Sequence, residues 1–134
     1  MSAFPAGRTR FPVDERIQFT EHRGKPILVV DLSHCGADYI LTLLEEFRDK
    51  VASQPPDSLL VLADFTDASF DKSVITRMKE LLVLDRPYVK HAAWVGTKSL
   101  PHVYYENFKS FSKRELPSFD TREEAMDWLV KDLA

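Results

Sequence analysis

The sequence predicts an α/β fold: one domain with a mixed, mostly parallel five-stranded sheet and about four helices, in the order β-β-α-β-α-β-α-β-α. Three observations carry that prediction. Apolar runs short enough for buried strands recur at residues 27–32, 59–63 and 92–95. The segments between them place apolar residues three and four apart, the period of an amphipathic helix. The chain has 134 residues, 44% hydrophobic and 29% charged, which suits a single core and excludes disorder over most of its length.

Residues 1–13 hold Pro5, Gly7, Arg8, Arg10 and Pro12 without an apolar period and read as a flexible N-terminal arm, leaving 14–134 as the domain. Ile17-Gln18-Phe19-Thr20-Glu21 alternates like a half-buried strand. The Gly24-Lys25-Pro26 break then predicts an antiparallel hairpin with residues 27–32, a strand apolar on both faces and therefore interior. A helix follows Gly36, with Ile40, Leu43, Leu44, Phe47 and Val51 on one stripe and Glu45, Glu46, Arg48 and Lys50 turned away. Pro55-Pro56 stops it. Residues 58–64 form the next strand, and a right-handed crossover makes its pairing parallel. The second amphipathic helix uses Val74, Ile75, Met78, Leu81 and Leu82, ends at Arg86-Pro87, and leads to a buried strand at 89–96. Pro101 suits the first turn of a third helix with Val103, Tyr104, Phe108 and Phe111 inward, Tyr105 off the stripe, and Lys109, Lys113 and Arg114 as a solvated basic patch. Residues 116–119 read as a short edge strand because Pro117 cannot donate to a ladder. Thr121-Arg122-Glu123-Glu124 is a capping box opening a last helix with Ala125, Trp128, Leu129 and Leu133 inward. No internal repeat stands out.

Several function classes fall away. A net charge of -3 and a pI near 5.8 give no overall field for phosphates, so no nucleic-acid partner is expected. Cys35 stands alone, so no intramolecular disulfide forms. No apolar run reaches the roughly 18 residues of a membrane span, no secretory signal is evident, and a cytoplasmic location is expected. His22, His34, His91 and His102 lack metal-ligand spacing, and the four glycines make no phosphate loop; neither metal nor cofactor is expected. His34 and Cys35 are adjacent, but neighbours on an extended segment point apart and make no nucleophile–base pair. A non-enzymatic protein is the expectation.

In open sheets of this kind ligands and partners collect at the carboxyl ends of the parallel strands. Those ends are residues 33–36, 64–73 and 96–98, so His34, Cys35, Asp64, Thr66, Asp67, Ser69, Asp71 and Thr97 are the candidate partner or ligand surface. Helix capping by Asp, Ser and Thr accounts for part of the acid- and hydroxyl-rich run from 64 to 73.

The element order, the strand Ile27-Leu28-Val29-Val30-Asp31-Leu32, the segment Leu60-Val61-Leu62-Ala63-Asp64-Phe65-Thr66 and the tail Phe119-Asp120-Thr121-Arg122-Glu123-Glu124-Ala125-Met126-Asp127-Trp128-Leu129 together resemble the SpoIIAA-like branch of the STAS superfamily, over about residues 17–133. The resemblance implies a regulatory module that binds a partner protein. It also makes Ser73 the candidate phospho-acceptor, because Asp71-Lys72-Ser73-Val74 lies where antagonists of that family carry Asp-Ser-Ser-Gly; lysine replaces the first serine and valine the glycine. The fold is further similar to CRAL-TRIO lipid-binding domains, which implies the alternative of a small apolar-ligand or lipid carrier with a pocket near Trp94 and Phe108. A homodimer is compatible with either reading.

Overall fold

The computed structural model describes residues 13–131; the expected arm up to residue 12 and Leu133 lie outside the described residues. A short helix α1 (Val13–Arg16) precedes the hairpin β1 (Ile17–His22) and β2 (Lys25–Asp31). The chain then alternates through α2 (Ala37–Ala52), β3 (Leu59–Asp64), α3 (Lys72–Leu84), β4 (Val89–Val95), α4 (His102–Ser112), β5 (Ser118–Phe119) and α5 (Arg122–Val130). Helix α1 and a 3-10 turn at Thr97–Ser99 are additions to the expected order; both are too short to leave a periodic signal.

The sheet runs β1-β2-β3-β4-β5, with β1 antiparallel to β2 and every other pair parallel. Stepping always in one direction with one hand of crossover places α2, α3 and α4 on the same face. There Leu28, Val30, Val61, Ala63, Ala92 and Trp94 meet Ile40, Leu43, Val74, Met78, Leu81 and Phe108. The other face is covered by α5, whose Ala125, Leu129 and Val130 rest on Ile27, Leu60, Leu62, Ala93 and Val95. Both faces of β3 are therefore buried, as its unbroken apolar run requires. Thr121 caps α5 by accepting from the Glu124 amide at 3.1 Å, and His22 Nε2 meets Asp127 Oδ1 at 2.7 Å, tying α5 to the hairpin.

Four expectations need correction. Helix α4 is rotated from the expected phase: Phe108 is buried, but Val103, Tyr104 and Phe111 are exposed, while Tyr105 turns inward against Trp94. Ser112 completes the inner stripe because its hydroxyl donates to the Phe108 carbonyl at 2.6 Å and so hides its polarity. Pro101 is the N-cap rather than a first-turn residue. In β1 only Ile17 is buried, and Phe19 lies exposed beneath the Lys50 ammonium. Arg48 turns back to Asp85, the residue that caps the C-terminus of α3.

Asp85 is 3% exposed, and burial pushes its carboxyl from 3.8 up to about 6 despite Arg48 at 3.1 Å and the nearby Arg114. Between those two values the folded chain retains a proton that the unfolded chain has lost. Its contribution to stability therefore falls, by about 3 kcal/mol, as pH rises through that window. Urea titrations across the window should show that decline in the native protein and its absence in Asp85→Asn; an identical decline in both would refute the assignment.

Candidate functional site

The carboxyl ends of β2 and β3 carry the same device twice. Asp31 and Asp64 are partners in the parallel register. Asp31 Oδ1 accepts the Ser33 amide at 3.0 Å and the Ser33 hydroxyl at 2.5 Å. Asp64 Oδ1 accepts the Thr66 amide at 2.9 Å and the Thr66 hydroxyl at 2.7 Å. Each strand thus closes in a local carboxylate-to-hydroxyl turn, the conformation these residue types favour over further extension. The next residues, His34 and Asp67, both take a left-handed backbone, with φ of 59° and 53°. The chain then turns inward to a small buried side chain, Cys35 or Ala68. The two loops lie side by side, joined by His34 N to Thr66 O at 2.8 Å and by Ser69 N to Cys35 O at 3.0 Å.

Beneath the loops the carboxylates are locked from the first turn of α5. Arg122 donates through Nε to Asp64 Oδ2 at 2.8 Å and reaches Asp31 Oδ2 through Nη2 at 3.3 Å. Burial pushes the Asp64 carboxyl up, but the Thr66 hydroxyl and amide and the Arg122 guanidinium outweigh it and hold the group below its ordinary range. From the other side Arg16 at the end of α1 donates to the carbonyls of Asp31 and Ser33 at 3.1 and 2.8 Å. The third strand end crosses at Gly96, and the turn after it is pinned by Ser99 Oγ to the Phe65 carbonyl at 2.9 Å.

The structure sorts the expected surface residues into two sets. His34, Asp67, Ser69, Asp71 and Ser73 are exposed, and His34 Nδ1 faces Asp67 Oδ2 at 3.4 Å. Asp71 also caps α3, accepting the Val74 amide at 2.9 Å, and Ser73 stands in the first turn of that helix. Cys35 and Asp64 are instead buried and support the loops from inside; Thr66 is half-buried, and Thr97 is half-buried with its hydroxyl on Ser118 at 2.7 Å. His34 is exposed and Cys35 buried, its thiol donating to the Ser33 carbonyl at 3.4 Å; the left-handed backbone at His34, rather than the expected extended segment, sets the two side chains. Asp31 and Ser33 were not singled out by sequence reasoning, nor were Arg16, Gly96 and Arg122, although Ser33 and Gly96 lie within the expected strand ends. A signal for the first two existed: Asp31-Leu32-Ser33 and Asp64-Phe65-Thr66 match residue class for residue class, a short internal repeat.

Two cavities bear on what the fold can hold. An open, polar cleft of ≈ 440 Å³ beside the N-terminus of α2 is lined by Arg16, His34, Gly36, Asp38 and Tyr39. An apolar cavity of ≈ 60 Å³ lies between the sheet and α2 and α3; Trp94 lines it, together with Leu32, Val61, Phe65 and Met78. Pockets for drug-sized ligands run to roughly 300–1,000 Å³, so the apolar cavity is several-fold too small for a lipid.

One antiparallel hairpin continued by parallel strands, with α2, α3 and α4 on one face and α5 on the other, is the architecture of a SpoIIAA-like fold. The chain is similar to the crystal structure of an uncharacterized protein from the DUF3478 family with a SpoIIAA-like fold, from Shewanella loihica PV-4. The TM-score is 0.65 at 16% identity, over 84% of this chain and 91% of that one. Likeness at that identity speaks for the fold. No protein-family model and no curated protein matches the chain.

Proposed function

We propose that the chain is a non-enzymatic STAS-like module that recognises a partner protein through the loops at the carboxyl ends of β2 and β3 and the first turn of α3. The observation that supports this reading most is the pair of stacked turns, held from below by Arg122 and presenting His34, Asp67 and Ser69 outward. A surface fixed before contact loses little conformational entropy on binding, which is what a recognition edge requires. A phosphate on Ser73 would regulate it. The positive end of α3 attracts such a group while the carboxylate of Asp71 repels it, so modification would change the charge of the edge without unfolding it. The apolar-carrier alternative draws less support, because the cavity of ≈ 60 Å³ would have to open severalfold.

A photo-crosslinking amino acid at position 67, compared in the native cells with one at exposed position 52 at the far end of α2, tests the recognition edge. A discrete protein adduct is expected from position 67 alone. No adduct, or the same adduct from both positions, removes the proposal. Intact mass with and without phosphatase, in the native chain and in Ser73→Ala, tests the modification.

A further inference from the structure

The two edges of the sheet are built differently. At one edge β5 is two residues long and follows directly on Pro117, which has no amide to offer a further strand. At the other edge β1 runs six residues without proline, lysine or bulge, and Gln18, Phe19, Thr20 and Glu21 are all exposed. Among the described residues no strand lies beyond it. Helix α1 leans the other way, Arg16 donating to the Asp31 and Ser33 carbonyls at the end of β2.

The turn after β1 decides which backbone groups stay open. Arg23 and Gly24 are both left-handed, with φ of 53° and 81°, so a two-residue hairpin turn joins His22 and Lys25 as a hydrogen-bonded pair. Alternation along an antiparallel ladder then makes Thr20–Ile27 and Gln18–Val29 the further bonded pairs. Leu32 donates to the Asp64 carbonyl at 2.9 Å, which puts the even residues of β2 on the β3 side and fits this phase. Phe19 and Glu21 therefore direct their N–H and C=O groups away from β2, along the open edge. Their side chains share the sheet face that carries α2. Lys50 of α2 stands 5.8 Å from the Phe19 ring centre, and neither Lys50 nor Glu21 has an ion-pair partner among the described residues.

We propose that two copies of the chain pair through their β1 edges, antiparallel about a two-fold axis at Thr20, into one continuous sheet. In that register Phe19 of each copy exchanges its two backbone hydrogen bonds with the partner's Glu21, so the open groups of both residues are used. Each Glu21 carboxylate comes to lie beside the partner's Phe19 and Lys50, where the two uncompensated charges of this region meet. Thr20 meets its own counterpart across the axis on the opposite face, a favourable cross-strand pair. Charge complementarity selects a second copy over a foreign peptide, because this one edge carries both halves of the pairing. The parallel strands of the two copies then run in opposite directions, so the assembly presents two recognition edges facing apart. The inference goes beyond the recognition edge and uses none of its residues.

Sedimentation velocity of the native chain over a range of micromolar concentrations tests it. A reversible monomer–dimer equilibrium is expected, a weak one because the contact is small. Glu21→Lys and Lys50→Glu each lose both ion pairs and gain like-charge contacts, so each is expected to self-associate about tenfold more weakly. Mixing the two variants rebuilds both pairs in the mixed dimer and is expected to restore native-like association. Circular dichroism and melting of each variant verify the fold. The Phe19 and Glu21 amides should exchange with deuterium more slowly as the dimer forms. A native chain that stays monomeric, a dimer indifferent to both reversals, or a mixture no tighter than its components overturns the proposal. So does exchange at the two amides that is unchanged by dimer formation, which places the contact on another face. Slow exchange in a strictly monomeric chain assigns the edge to another segment of the same chain and overturns the proposal as well.

Discussion

Gly96→Ala is expected to destabilise the protein by about 3 kcal/mol, lowering Tm by roughly 10 °C. Gly96 has a φ of +73°, and a Cβ there would stand 2.5 Å from the Thr66 amide nitrogen and 2.7 Å from its Cα. Backbone cannot move aside as the tip of a side chain can, so the β3 loop would have to shift and take the Asp64–Thr66 turn with it. Gly24 supplies the control. Its φ of +81° is also left-handed, but nothing lies within 4 Å of a built Cβ. Gly24→Ala should therefore cost only the conformational part, about 1 kcal/mol. Equal losses in urea denaturation of the two variants would show that the close approach at Gly96 carries no weight.

Asp64→Ala is the second large effect, expected at about 3 kcal/mol. The substitution removes the acceptor for the Thr66 amide and hydroxyl and strips Arg122 of its nearer carboxylate. Asp64 is 6% exposed, so water does not replace what is lost. Arg122→Ala should cost less, about 1–2 kcal/mol, since the guanidinium is partly in solvent and Asp64 keeps its two bonds to Thr66. The pH signature has a definite sign. The Asp64 carboxyl is held below 3.8, so its stabilisation is complete above that value and is lost as pH falls through the lower folded one. Asp64→Ala should lack that acid-side loss. A native-like acid limb in the variant would assign the loss to other carboxylates.

The order of strands and helices was legible because β3 and the end of β4 are unbroken apolar runs and because Ile40, Leu43, Leu44 and Val51 keep a clean helical period. Helix α4 was legible in extent but not in phase. Val103, Tyr104, Phe108 and Phe111 form as regular a stripe as the true one, and apolar counting cannot foresee that Ser112 will satisfy its own hydroxyl and go inside. The candidate edge was located by the strand ends, yet its support was not visible. Arg122 meets Asp64 across 58 residues of sequence and Asp31 across still more, and no local pattern encodes a contact of that range. Cys35 and Asp64 counted as surface because loops usually are; the left-handed turn at His34 and the lock on Asp64 put both inside.

Helix α5 comes after every other described element, and that has a consequence during synthesis. Ile27, Leu60, Leu62, Ala93 and Val95 have α5 as their cover, so a chain made from its N-terminus onward exposes that sheet face until α5 has docked. An undocked α5 would leave a sticky back open to a neighbouring chain.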